Sequence, residues 1–158
     1  MCAYKTGGLA RMSAKLGAII GNASDKKIIS LAGFAESLGV AFQIQDDILN
    51  ITSTALGKDF GEDITEGKRT LLVIHALKKA SPEDRQLLLG ILNQKTRDKT
   101  LISEAISIIK KYRAIDYSKN IAKRLVKDAW HELDPLLKES KSKKILKMLA
   151  QFTVNRKV

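Results

Sequence analysis

Apolar residues recur at steps of three and four along almost the whole chain, the spacing that gathers them on one face of an α-helix. Leu9, Met12, Leu16 and Ile20 form the first such stripe, which ends near the "GNAS" of residues 21–24. Ser24 or Asp25 can cap a second helix, whose inward line is expected to run Ile28, Leu31, Ala35, Leu38, Phe42 and to continue through Ile51. Residues 53–67, "STALGKDFGEDITEG", are rich in Gly, Thr and acids and read as a loop of functional length. The helical pattern resumes with "RTLLVIHALKKA". Ser81, Pro82, Glu83 and Asp84 then combine a cap, a first-turn proline and two acids at a helix start. Further helices are predicted near 100–114, 117–133 and 141–153, with Pro135 separating or kinking the last two. Strand alternation is weak, no Asn-Gly or Asp-Gly turn joins alternating runs, and no internal repeat is present. An all-α helical bundle, one domain over residues 1–158, is the expected architecture.

Composition agrees and adds little until charge is considered. The 158 residues are 44% hydrophobic, enough for a core. No uninterrupted apolar run approaches the roughly 18 residues that cross a bilayer, and "MCAYKTGG" lacks a secretory apolar region. A soluble, cytoplasmic protein is the expectation. Cys2 is the single cysteine and has no internal disulfide partner. The net charge is +11, and residues 95–158 hold 17 of the 28 Lys+Arg but only 7 of the 17 Asp+Glu. That asymmetry fits nucleic acid, an anionic membrane surface or a polyanionic small substrate, but a plain solvated helical face is the first expectation. Aromatic residues are only 5%, and no zinc-finger or RNA-recognition spacing accompanies the charge, so nucleic acid is not the expected partner.

The segment "AFQIQDDILN", residues 41–50, places two adjacent carboxylates in an apolar run. On a helix Gln43, Asp46, Asp47 and Asn50 are linked by steps of three and four, and Asp46 continues the inward line from Phe42. Two carboxylates facing a bundle interior repel each other, and a bound cation removes that penalty. Oxygen ligands of this kind suit Mg²⁺ or Mn²⁺, with waters and substrate phosphates completing the shell. An exposed turn with two solvated acids accounts for the pair equally well. The following segment adds Lys58 and Lys68, and "YKTGG" adds Lys5 and Thr6 at a helix start, all suited to an anion such as phosphate.

"KTGGLARMSAKLGAIIG", "FQIQDDILN" and "GKDFGEDITEGKRTLLVIHAL" resemble, in this order, the second half of the trans-type isoprenyl diphosphate synthases, the polyprenyl synthetase family that includes geranylgeranyl and farnesyl diphosphate synthases. The resemblance runs from residue 4 to about residue 78. It implies an isoprenoid-synthase-type helical bundle, Mg²⁺ (or Mn²⁺) as cofactor, and isopentenyl diphosphate and an allylic diphosphate as substrates. It further implies that Asp46, Asp47 and Asn50 are metal ligands, and that Lys5, Thr6, Gln43, Lys58 and Lys68 bind the allylic diphosphate, with Lys5 and Thr6 in the catalytic role. The reaction implied is ionisation of the allylic diphosphate and attack on the cation by the double bond of isopentenyl diphosphate.

Two departures qualify what the resemblance implies. The family's second acidic motif often reads DDxxD, and here the fifth position is Asn50, which brings an acceptor oxygen but no charge. The family's first acidic motif and its isopentenyl-diphosphate-binding residues belong to an N-terminal half absent from these 158 residues. The chain alone is therefore expected to be inactive, as a truncated product, a processed fragment or one part of a split or wrongly delimited gene. Exposed apolar helix faces, a homodimer or assembly with the lacking half, and at most peripheral membrane contact follow as expectations. A non-catalytic, regulatory subunit that pairs with an active synthase is the alternative, and a basic helical nucleic-acid binder is a third. His75, His131, Trp130, Leu133 and Leu137 read as structural or surface residues.

Overall fold

The computed structural model describes residues 3–52 and 61–155. Among them are eight α-helices and no strand: α1 Gly8–Ile20, α2 Asp25–Thr52, α3 Glu62–Thr65, α4 Leu71–Lys79, α5 Pro82–Gln94, α6 Lys99–Lys111, α7 Ala114–Leu133 and α8 Lys141–Asn155. The all-α expectation holds. A wider π-helical turn, Ala3–Gly7, leads into α1, and a 3₁₀ turn at Asp134–Leu136 separates α7 from α8 where Pro135 forbids a regular helix. Packing groups the chain into two compact units. The described residues up to Gln45 and from Ile121 onward form the first, and Asp46–Asn120 form the second, so α2 and α7 each run through a boundary.

In the first unit the backbones of the Ala3–Gly7 turn and α2 meet almost without intervening side chains. A β-carbon on Gly39 would lie 2.9 Å from Gly7 Cα and 3.1 Å from Thr6 O, so Gly39 must stay bare. Ala32, Phe34, Ala41, Ile44, Ala122, Val126, Leu133 and Ala150 are buried, and Phe34 meets Trp130 edge-on at 5.6 Å. The expected inward line of α2 is thereby corrected. Ile28, Leu31, Ala35 and Leu38 are only half-buried and Phe42 is exposed, whereas Ala32, Phe34, Ala41 and Ile44 face inward. The helix is apolar on more than one side, so periodicity could not choose between faces, and the small residues that permit close approach decided it. With 28 residues and a stretch of mean hydropathy 1.3, α2 is by length and composition long and apolar enough to cross a membrane, a test that the core helix of a soluble protein also passes. The Leu9, Met12, Leu16, Ile20 stripe of α1 and the Ile145, Met148, Leu149, Phe152 face of α8 are exposed.

The second unit is built the other way round. Ile48, Ile64, Leu72, Val73, Leu88, Ile91, Leu92 and Ile109 are each no more than 2% exposed, and full burial of such side chains stabilises by about 1.5–3 kcal/mol apiece. Its helices start at polar caps. Thr70 Oγ1 accepts from Val73 N–H, Ser81 Oγ from Asp84 N–H at 3.3 Å, and Asp98 Oδ1 from Thr100 N–H at 2.7 Å. The expectation of a continuous loop over 53–67 is corrected at its second half, where Glu62–Thr65 form α3, and residues 53–60 lie outside the described residues. Four residues are too few to give a periodic signal, which is why α3 was not legible. Tyr112 Oη donates to Asp84 Oδ2 at 2.7 Å and accepts from Ser81 N–H at 3.0 Å, and Lys111 Nζ donates to the same carboxylate at 2.6 Å.

Candidate functional site

The last two turns of α2 carry the acidic pair. Asp47 is 7% exposed and is followed by Ile48, Leu49 and Ile51, all buried, while Asp46 is half-buried. The sequence had put Asp46 on the inward line; Asp47 is the deeper of the two. A buried carboxylate is costly unless cations or donors meet it. Among the described residues no group of three His, Cys, Asp or Glu side chains gathers to hold a metal.

Asn50, the third expected ligand, is engaged locally. Its Oδ1 accepts from Asp63 N–H at 3.1 Å, and its backbone oxygen accepts from Gly61 N–H at 3.0 Å. Lys68 Nζ donates to Asp63 Oδ1 at 2.7 Å and pairs with Glu66 Oε2 at 2.6 Å. Partial burial works to lower the Lys68 pKa, but the hydrogen bonds it donates to Asp63 and Glu66 outweigh it and hold the ammonium above its ordinary range. Lys68 is thus a permanent cation at neutral pH. Asp63 and Glu66 were not singled out from sequence. The Gly67 that follows them is the available signal, since a glycine after a short acidic segment can close a helix and bring the next lysine back onto it.

Thr6 and Gln43 lie in the first unit, where Thr6 Oγ1 donates to Gln43 Oε1 at 3.0 Å across 37 residues of sequence. Here the structure brings two of the expected contacts together. The Lys5 side chain, Lys58 and Cys2 lie outside the described residues. His75 is stacked on Tyr117 with centroids 3.9 Å apart, and His131 is exposed, which matches their structural or surface reading. Within the second unit, Glu62, Thr65, Glu66, Arg97, Lys99, Ile102 and Ser103 line a cleft of about 630 Å³ that sequence did not suggest.

The polyprenyl synthetase family model matches residues 1–109. The chain is 40% identical over 154 residues to a short chain isoprenyl diphosphate synthase of Methanothermobacter thermautotrophicus, covering 96% of this chain and 46% of that protein. The crystal structure of a geranylgeranyl pyrophosphate synthetase from Pyrococcus horikoshii superposes with a TM-score of 0.88 at 39% identity, over 99% of this chain and 48% of that one. A geranylgeranyl pyrophosphate synthase from Corynebacterium glutamicum, solved with isoprenyl diphosphate and magnesium, matches with a TM-score of 0.81 at 28% identity, over 90% of this chain and 41% of that one. The chain spans about half the length of the curated relatives it matches.

Proposed function

The chain belongs to the polyprenyl synthetase family, and from that premise we propose that it is the allylic-diphosphate-binding part, the C-terminal half, of a magnesium-dependent trans-prenyltransferase. The observation that carries the reading is the buried Asp47 beside Asp46, followed directly by buried Ile48, Leu49 and Ile51, in a unit that also holds a charged lysine fixed by two carboxylates. Asp46 and Asp47 are the residues that would hold Mg²⁺. When bound, the metal supplies positive charge against the diphosphate that leaves. Lys68 adds a fixed ammonium, and the family resemblance assigns Lys5, Thr6, Lys58 and Gln43 to binding of the allylic diphosphate. Thr6 offers its hydroxyl and Gln43 its amide, held in register by their mutual hydrogen bond.

The chemistry needs no nucleophilic side chain. The allylic C–O bond breaks, the electron pair leaves with the diphosphate, and the double bond of isopentenyl diphosphate attacks the resulting cation before a proton is lost. Electrostatic stabilisation of the departing anion is the main protein contribution. These 158 residues carry one acidic pair of the required kind, so by themselves they bind the allylic diphosphate and do not turn it over. In the cytoplasm they act with the remaining family motifs or as a homodimer through exposed apolar faces such as that of α1.

Calorimetric titration of geranyl diphosphate, with and without Mg²⁺, tests the reading. Binding is expected only with metal and is expected to fall at least about tenfold in Asp46→Ala, a loss of one charge-assisted ligand. Metal-independent binding, or binding unchanged in Asp46→Ala, contradicts it.

A further inference from the structure

Gly61 precedes helix α3, and its φ of 78° and lack of a side chain leave the first N–H groups of the helix without a local cap. No side chain can be added there, because a β-carbon would run into Ile102 Cγ2 on α6. The cap comes instead from Asn50 on α2, whose backbone oxygen takes Gly61 N–H and whose Oδ1 takes Asp63 N–H. At the other end Gly67 N–H donates to Ile64 O at 2.9 Å and Lys68 N–H to Asp63 O at 2.8 Å, a Schellman closure. Asp63 is therefore fixed at its N–H by Asn50, at its carbonyl by the Lys68 backbone, and at its carboxylate by Lys68 Nζ.

We infer that Asn50 is a positioning residue that fixes the Lys68 ammonium for diphosphate binding by capping α3 through Asp63, and that it is not a metal ligand. The inference rests on the diphosphate-binding reading above. An amide suits this task, since its oxygen accepts the Asp63 N–H without adding a third negative charge beside Asp46 and Asp47. A carboxylate could cap as well, which provides a rescue variant.

A double-mutant cycle in the 158-residue chain tests it, with geranyl diphosphate and saturating Mg²⁺ as the titrated pair. Asn50→Ala is expected to weaken diphosphate binding about tenfold in the parent and less than about twofold in a Lys68→Met background. Asn50→Asp is expected to restore binding in the parent. Affinity for Mg²⁺ alone is expected to be unchanged in Asn50→Ala, and hydrogen exchange at the Asp63 and Lys68 amides to quicken. An equal loss in both backgrounds, a loss confined to Mg²⁺ affinity, or unchanged exchange at those amides overturns the inference. Should Asn50→Ala not fold, Asp63→Asn takes its place in the cycle with the same expected coupling to Lys68. A parent chain that binds no diphosphate overturns both readings. Binding that survives Asp46→Ala while the cycle still couples Asn50 to Lys68 removes the metal reading and leaves this one standing.

Discussion

Helices α1 and α6 are each 13 residues long and each carries an apolar stripe at helical spacing, yet they end in opposite situations. On α6, Ile102, Ala105, Ile106, Ile108 and Ile109 are buried within the second unit. On α1, Leu9, Met12, Leu16 and Ile20 are all more than half exposed. The same periodicity produces both, because it records which face avoids water and says nothing of what covers that face. The apolar stripe of α6 is an internal core, and that of α1 is a surface that lacks a cover among the described residues.

Substitution of the two stripes should separate them sharply. Leu92→Ala in α5 or Ile109→Ala in α6 is expected to cost about 3 kcal/mol by urea denaturation, from lost transfer and a residual cavity. Leu16→Ala in α1 should change stability by less than about 0.5 kcal/mol. A large loss from Leu16→Ala would mean that its face is covered in solution. Self-association sharpens the same contrast. Leu16→Glu is expected to shift any monomer–oligomer midpoint in sedimentation at least about tenfold toward higher concentration, whereas the Arg11–Glu36 pair, which joins α1 to α2 at 3.3 Å, should contribute little.

Smaller effects lie at helix starts and charged contacts of the second unit. Ser81→Ala removes the oxygen that receives Asp84 N–H and should cost about 1 kcal/mol. The Lys111 ammonium and Tyr112 hydroxyl hold the Asp84 carboxyl below its ordinary value of 3.8. A depressed carboxylate pKa contributes stability that is present above the unfolded value and lost as pH falls through the folded one. Asp84→Asn should therefore flatten the acid limb of stability against pH below about pH 4, read as urea midpoints, without steepening the neutral limb.

Much of the fold was legible because its signals are local. Ser81-Pro82-Glu83-Asp84 starts α5 at Pro82, Pro135 marks the break before α8, and the second helix runs from Asp25 nearly to the residue expected. The buried face of α2 was not legible, because Gly39 and Ala41 direct the packing by being small and hydrophobicity patterns ignore size. For the candidate site, sequence singled out the acidic pair, the Thr6 and Gln43 positions and Lys68. It did not foresee that Asn50 reaches Asp63 or that Lys68 folds back onto Asp63 and Glu66. Those contacts depend on a four-residue helix whose cap comes from one residue, Asn50, on another helix, and no propensity or period encodes that pairing.

The most direct test is where a divalent ion sits. Titration of the isotopically labelled chain with Mn²⁺ and inorganic pyrophosphate should broaden the amide resonances of Asp46 and Asp47 first, and Asp47→Asn should abolish that selective broadening. Broadening that starts elsewhere, for example at Glu62 and Glu66 of the cleft in the second unit, or that is unaffected by Asp47→Asn, would contradict the assignment of the acidic pair to a metal.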